Sequence, residues 1–300
     1  MTRTAIIAAF PGELKPLVKH WAHERREGVD LWRWRRGECE WLAACAGAGQ
    51  GAATRAFAAI EQTGAIDRAI SIGWAGALRE DLESGKAYHA SAVVDLQTGE
   101  RFIAGWLAQQ VPGNGLRSAE KAQQNEGALD PAEIIQTADT NQEKSPSGPK
   151  GQTYSALIDV RAKARTLHPE ILLVTSPRVA NHEEKLRLAA AYSAALVDME
   201  AAAIARLAQM RGIPFFSIKG ISDALNDKLP DFNRFLSPTG QMRMLPLTVF
   251  ALFHPSCWPA LIRMGENSKK AARVMAESVL GFLDEHGQIR MRNGYPDLKQ

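Results

Sequence analysis

Two carboxylates in the segment Val197–Asp227, VDMEAAAIARLAQMRGIPFFSIKGISDALND, stand where they can do chemistry. Glu200 closes a short strand-like run and opens a helical one, and Asp223 follows a second apolar run and a turn through Gly220. Glu13 lies at another junction, between the apolar run Thr4–Phe10 and a helical-looking stretch. Unpaired N–H groups at a helix start favour an acid there, as a functional group or as a plain cap. In an open parallel sheet ligands bind beyond the carboxyl ends of strands, so acids at such ends are candidates for proton transfer or for holding a ligand.

The elements that must position them can be read from spacing. Met199, Ala203, Ile204, Leu207 and Met210 recur at three- and four-residue intervals, which predicts an amphipathic helix that Gly212 stops. Pro214 suits the first position of the next strand, and PFFSI reads as a strand covered on both faces. Near the amino terminus, LKPLVKHWAHERRE reads as a helix after Pro11-Gly12-Glu13. Leu31–Arg36 and Glu40–Ala46 then form a hairpin through Gly37-Glu38. Its interleaved Trp and Arg residues suit a half-buried strand pair or, as the alternative, stacking on bases.

Gly47, Gly49 and Gly51 follow a strand and open the helix Ala52–Gln62. A dinucleotide fingerprint is weakened here, because the spacing is GxGxG and Asp67 precedes the next strand when it should end it. The other reading is a tight turn that lets the backbone approach a neighbour or a ligand. Ala69–Gly73 is a strand ending in Gly73-Trp74-Ala75-Gly76, a pocket wall or a core tryptophan. Lys86–Asp95 and Ile171–Thr175 are strand-like, and Asn181 with Glu184 makes a capping box for the helix His182–Ser193.

Residues 104–152 are polar and turn-rich, so we expect a single domain over residues 1–300 carrying a flexible insertion there and a helical C-terminal extension from about residue 228. Within that extension Met244–Ile262 is apolar for almost a transmembrane length. Pro246, His254, Pro255 and Pro259 interrupt it, which predicts a pair of short helices and no membrane span. Lys269–Leu283 reads as a closing amphipathic helix, followed by a frayed polar tail after Asp284.

The composition, 45% hydrophobic and 23% charged, is that of a globular chain able to bury a full core. A net charge of +3 gives no concentrated basic face and no argument for nucleic acid as a partner. Cys39, Cys45 and Cys257 show neither CxxC spacing nor neighbouring histidines in a pattern that would suggest a zinc site, so no metal is expected, and no cofactor is expected either. The sparse, odd cysteine set and the short apolar run at the amino terminus predict a cytoplasmic protein without a signal peptide.

Val197-Asp198-Met199-Glu200 and Ile221-Ser222-Asp223, with IIAAFPGEL, AGAGQGAA and SIGWAGAL, resemble the nucleoside phosphorylase and methylthioadenosine/S-adenosylhomocysteine nucleosidase superfamily. The tail, ALNDKLP and FALFHPSCWPALIRM, is similar to the hopanoid-associated phosphorylase branch, which acts on adenosylhopane. The resemblance implies an α/β fold, a three-layer αβα around a twisted mixed sheet, assembled as a homodimer or a higher homo-oligomer. By the same resemblance Asp223 protonates the leaving purine at N7, Glu13 positions and activates water, Glu200 holds ribose hydroxyls and Met199 packs on the sugar. Ser222, Trp74, Gly76 and Val179 complete the implied substrate-binding set.

The chemistry asks for these residue types. Breaking a C–N glycosidic bond builds positive charge on the ribose and negative charge on the base, so it needs an acid for the leaving group and acceptors for the hydroxyls. To keep a proton near neutral pH, Asp223 needs surroundings that disfavour its charged form, and the apolar strand and loop supply that expectation. Hexameric relatives hold phosphate with an arginine and a serine on the strand matching Ser71-Ile72-Gly73-Trp74. Here Ser71 and Trp74 stand in that strand, which favours water over phosphate as the nucleophile, although Lys15 or Arg178 could rebuild an anion site.

The expected function is hydrolysis of the N-glycosidic bond of an adenine-type nucleoside, with methylthioadenosine, S-adenosylhomocysteine or a lipid-linked adenosine as substrate. The alternatives are a phosphate-dependent phosphorylase and a non-catalytic nucleoside-binding protein. Met244–Ile262 with Phe232 and Phe235 reads either as an apolar mouth at a membrane surface or as a buried cap or oligomer interface.

Overall fold

Apolar runs at the head of the chain become the middle of a sheet. The structure, a computed structural model, describes residues 1–105 and 171–281. β1 (Thr2–Ala8) pairs in parallel with β4 (Cys39–Cys45) on one side and with β5 (Arg68–Ala77) on the other. The hairpin of β3 (Val29–Arg36) and β4 is present, and β2 (Ala22–Arg26) adds an antiparallel edge beyond β3.

β5 is the hub. β11 (Phe215–Asp223) runs parallel to it along most of its length, while its last residues, Gly76 and Ala77, pair antiparallel with β10 (Leu196–Asp198). From β10 the sheet continues through β9 (Leu172–Thr175) and β7 (Ala92–Asp95) to β8 (Arg101–Ile103), and β6 (Ala87–His89) borders β11. Among the described residues this is an 11-stranded mixed sheet.

Alternation along the strands feeds two cores, as period-two side chains must. Ala5, Ile7, Ala69 and Phe215 face α2 (Gln50–Glu61) and α4 (Ala201–Met210), whereas Ile6, Ile70, Phe216 and Ile218 face the carboxyl-terminal helix α6 (Trp258–Gly281). The result is the three-layer αβα arrangement. A third cluster, with Leu78, Val174 and Leu188, seats α3 (His182–Tyr192). Each fully buried Leu, Ile or Phe in these layers contributes about 1.5–3 kcal/mol relative to exposure.

Several elements depart from the sequence expectations. The helix expected after Glu13 is a single turn, α1 (Pro11–Leu14), because Pro16 cannot extend it and Ala22–Arg26 finds a strand partner in β3. β5 runs on through Trp74 to Ala77 instead of ending at Gly73. Lys86–Asp95 is split between β6 and β7. Met210 is exposed, and the buried face of α4 is made by Ala201–Ala205 and Ala208. The expected pair of short helices is α5 (Met244–Phe253), a 3-10 turn at Pro255–Cys257, and then α6, which runs unbroken into the closing helix. Pro259 falls in its first turn, where no N–H is required. The proposed insertion at 104–152 lies outside the described residues from residue 106 onward, as does the tail beyond residue 281.

Candidate active site

The carboxyl ends of β1, β5, β10 and β11 meet around Gly73–Gly76. Glu13 is buried beneath β5, and its Oε1 accepts from the Trp74 N–H at 2.7 Å. Its Oε2 accepts from the Ala9 and Phe10 N–H groups, each at 2.8 Å. Burial pushes the Glu13 carboxyl above its ordinary value, while the N–H donors and the Lys219 ammonium pull it back. A side chain at Gly73 would stand 3.0 Å from Glu13 Oε1, so the acid occupies the room that this glycine leaves.

Glu200 lies across the strand ends as the residue before α4. Its Oε1 accepts from the Gly49 N–H at 2.6 Å and its Oε2 from the Met199 N–H at 3.3 Å. The glycine turn therefore delivers a backbone donor to the acid. Gly47 and Gly240 press backbone on backbone, with the Ala48 N–H donating to the Gly240 carbonyl at 2.7 Å, and a Cβ on either glycine would collide. Desolvation first, and then the Asp198 charge, push the Glu200 carboxyl up to about 8.

Beneath these acids Lys219, fully buried on β11, bonds Ser71 Oγ at 2.9 Å and Asp198 Oδ2 at 2.8 Å. Asp198 also accepts from Thr175 Oγ1 at 2.7 Å and from the Ala201 N–H at 2.9 Å, so it caps α4. The Lys219 charge acts on both Glu13 and Glu200. One ammonium thus acts on two acids, from the position just past the run PFFSI.

Asp223 sits at a β-bulge. β11 pairs Ile221 with Ala75 and Asp223 with Gly76, leaving Ser222 as the extra residue, a device that re-aims a side chain. Ser222 Oγ donates to Asp223 Oδ1 at 2.5 Å. On the other oxygen stands Lys185 of α3, ion-paired with Asp223 Oδ2 and donating to the Ala224 carbonyl at 2.8 Å. The expectation of apolar surroundings for Asp223 is therefore corrected. Lys185 is 2% exposed, and the two buried charges compensate each other across the site. Gly76 makes the room, since a Cβ there would lie 2.9 Å from Lys185 Cε and 3.3 Å from Asp223 Oδ2.

The remaining expected residues take varied places. Met199 is half-buried beside Glu200. Trp74 packs its ring on Phe10 and donates its indole N–H to the Ser268 carbonyl of α6 at 3.0 Å, while its backbone N–H holds Glu13. Val179 lines a hollow that also reaches Lys185 and Asp223. Asn233 covers it there, accepting the Val179 N–H at 2.9 Å and donating to the Val179 carbonyl at 3.0 Å. That side-chain amide presents the same acceptor and donor pair as an adenine edge.

A larger hollow on the outer side of α3 is lined by Ser176, Arg178, Glu184 and Arg187 and contains none of the candidate acids. Arg178 is ion-paired there with Glu184, and Lys15 is exposed, so neither extends a free cation into the acid cluster. Among the described residues no group of three or more His, Cys, Asp or Glu is placed to hold a metal ion. Sequence reasoning missed Lys185, Lys219 and Asn233. The lysines carried a signal in retrospect, a charge inside an apolar stripe.

A sequence model described as the phosphorylase superfamily matches residues 3–242. No curated protein gives a significant match. Among solved structures, the 5′-methylthioadenosine/S-adenosylhomocysteine nucleosidase from Helicobacter pylori with butyl-thio-DADMe-Immucillin-A is similar at TM-score 0.53 and 17% identity, over 92% of this chain and 95% of that one. The futalosine hydrolase of Helicobacter pylori strain 26695 is similar at TM-score 0.53 and 17% identity, over 92% and 94%. The Campylobacter jejuni 5′-methylthioadenosine/S-adenosylhomocysteine nucleosidase is similar at TM-score 0.56 and 13% identity, over 93% and 97%. The fold of these structures, a mixed twisted sheet between helices, is the fold described above.

Proposed function

The chain belongs to the phosphorylase superfamily, and from that premise we propose that it hydrolyses the N-glycosidic bond of an adenine-type nucleoside. The observation that carries the proposal is the grouping of Glu13, Glu200 and the Lys185–Asp223 pair around Gly73–Gly76 of β5. Acids in these positions divide the work that the reaction needs.

The C1′–N9 bond breaks with its electron pair moving to the purine, whose N7 takes a proton held between Asp223 and Lys185. Ser222 fixes the carboxyl orientation. Water adds to C1′ and gives its proton to Glu13, whose three backbone donors hold the carboxylate in place. Glu200 accepts from ribose hydroxyls, with Met199 beside the sugar. The backbone N–H and carbonyl of Val179 read the adenine edge once Asn233 yields them. Such preorganised donors and acceptors act strongly in a site shielded from water.

The 5′ substituent belongs to the same proposal, with methylthio, homocysteinyl and lipid-like groups as candidates, and assembly into homo-oligomers is proposed from the resemblance. A phosphorylase is the second reading, favoured by the family description. Against it, Ser71 is fully buried and committed to Lys219. The test is product analysis across a nucleoside panel, with and without phosphate. Adenine release without phosphate supports hydrolysis, and strict phosphate dependence selects the phosphorylase. Release unaffected by Asp223→Asn would remove the assignment of the acid.

A further inference from the structure

Helix α5 contributes nothing to the core. No residue from Leu236 to Asn267 is buried, although this stretch holds the most apolar sequence in the protein. Leu245 is 76% exposed, Leu252 65% and Phe253 74%, and they share one half of the helix circumference with Met244 and Val249. The opposite side carries Phe250, which packs on Phe235. Trp258 and Ile262, one turn apart at the start of α6, extend the exposed apolar surface.

The elbow between α5 and the helices after it bends by 104°. Several of its backbone carbonyls are met internally. The Phe250 carbonyl accepts from His254 Nδ1 at 2.8 Å, and the Ala251 carbonyl accepts from the Trp258 indole at 2.6 Å. The His254 carbonyl accepts from Cys257 Sγ at 2.9 Å, while Pro255 and Pro259 have no N–H to satisfy. An apolar surround demands such closure and water does not.

The charge pattern identifies what lies opposite. Between Arg243 and Arg263 there is no Asp, Glu, Lys or Arg, and both flanking arginines are exposed. Lys269 and Lys270 follow, against the single acid Glu266 in the span from 243 to 270. We infer that the α5–α6 elbow docks on a lipid surface with anionic head groups, with Leu252, Phe253 and Trp258 in the apolar boundary and the arginines and lysines at head-group level.

A ten-residue helix spans about 15 Å, half the thickness of a bilayer core, and no single helix among the described residues is long and apolar enough to cross one. The elbow therefore lies in the interface. A two-fold contact with a second copy repeats one patch on both sides and would set the basic frame against itself, whereas an anionic surface complements it. The loop that lines the hollow at Asp223 leads into this elbow through Phe235, so the docked face adjoins the site. The inference stands apart from the hydrolase reading, because its readout needs no substrate.

The test is flotation of the full chain with vesicles of phosphatidylcholine alone or mixed with phosphatidylglycerol, at low and high salt. We expect at least about tenfold more floated protein with the anionic vesicles at low salt, and loss of that excess at high salt. Leu252→Asp with Phe253→Asp should lower the floated fraction about tenfold while leaving the melting temperature unchanged, since both side chains are exposed. Arg243→Glu with Arg263→Glu should erase the preference for anionic vesicles. Wild-type protein that fails to float with either vesicle overturns the inference, as does flotation indifferent to the aspartate pair. A soluble dimer that the aspartate pair turns into monomer, without flotation of either form, overturns it too and assigns the face to a second copy.

Discussion

Lys185 changes what Asp223 can do. One Asp223 oxygen is ion-paired with the Lys185 ammonium and the other accepts from the Ser222 hydroxyl. Lys185→Met leaves the acid buried and unpaired, so we expect about 3–5 kcal/mol of lost stability in urea unfolding. The double variant Lys185→Met/Asp223→Asn should recover most of that loss.

Glu200 sets a second residue-level prediction. With its carboxyl held up at about 8, the folded protein keeps a proton that the unfolded chain sheds near the ordinary value of 4.5. Folding stability from the neutral form is full below that ordinary value and is lost as pH rises through about 8. Glu200→Gln should flatten the fall and raise the melting temperature at alkaline pH, by about 2–4 °C for each kcal/mol relieved. Burial raises the Glu13 carboxyl above its ordinary value, so with Glu13 as the proposed base the acid limb of kcat/KM should lie above the ordinary carboxylate range. Glu13→Gln should lower kcat by about 10²–10⁴-fold and remove that limb.

At the scale of elements, the site depends on what β5 leaves out. Gly76→Ala places a methyl against Lys185 and Asp223. We expect kcat to fall roughly tenfold or more with KM little changed, because the substitution displaces the pair proposed to move the proton and leaves the proposed base-binding residues in place. Asn233→Ala frees the Val179 backbone and should lower KM for adenine nucleosides several-fold, read by steady-state kinetics, with kcat retained.

Signals local in sequence were legible. Asn181 and Glu184 form their reciprocal cap, with bonds of 2.9 and 3.1 Å, and Gly212 stops α4 at φ +64. Contacts between distant segments were not. Ala22–Arg26 has helix-compatible residues, and its strand form comes from pairing with β3. Lys185 meets an acid 38 residues away, and no local rule specifies that meeting. Asn233 reaches Val179 over 54 residues. The carboxylates could be found because strand ends can be read from apolar runs, whereas the cations that tune them are set by packing.

For the whole molecule, the three-layer fold gathers the strand ends and leaves α5 outside the core, so the proposed catalysis and the inferred surface attachment use different parts of one chain. The central claim is glycosidic hydrolysis, and the most direct measurement is mass spectrometry of the products of an adenine-nucleoside panel in ¹⁸O-labelled water without phosphate. The account predicts free adenine together with a sugar carrying one ¹⁸O at C1. Intact nucleosides throughout, with and without added phosphate, would contradict it.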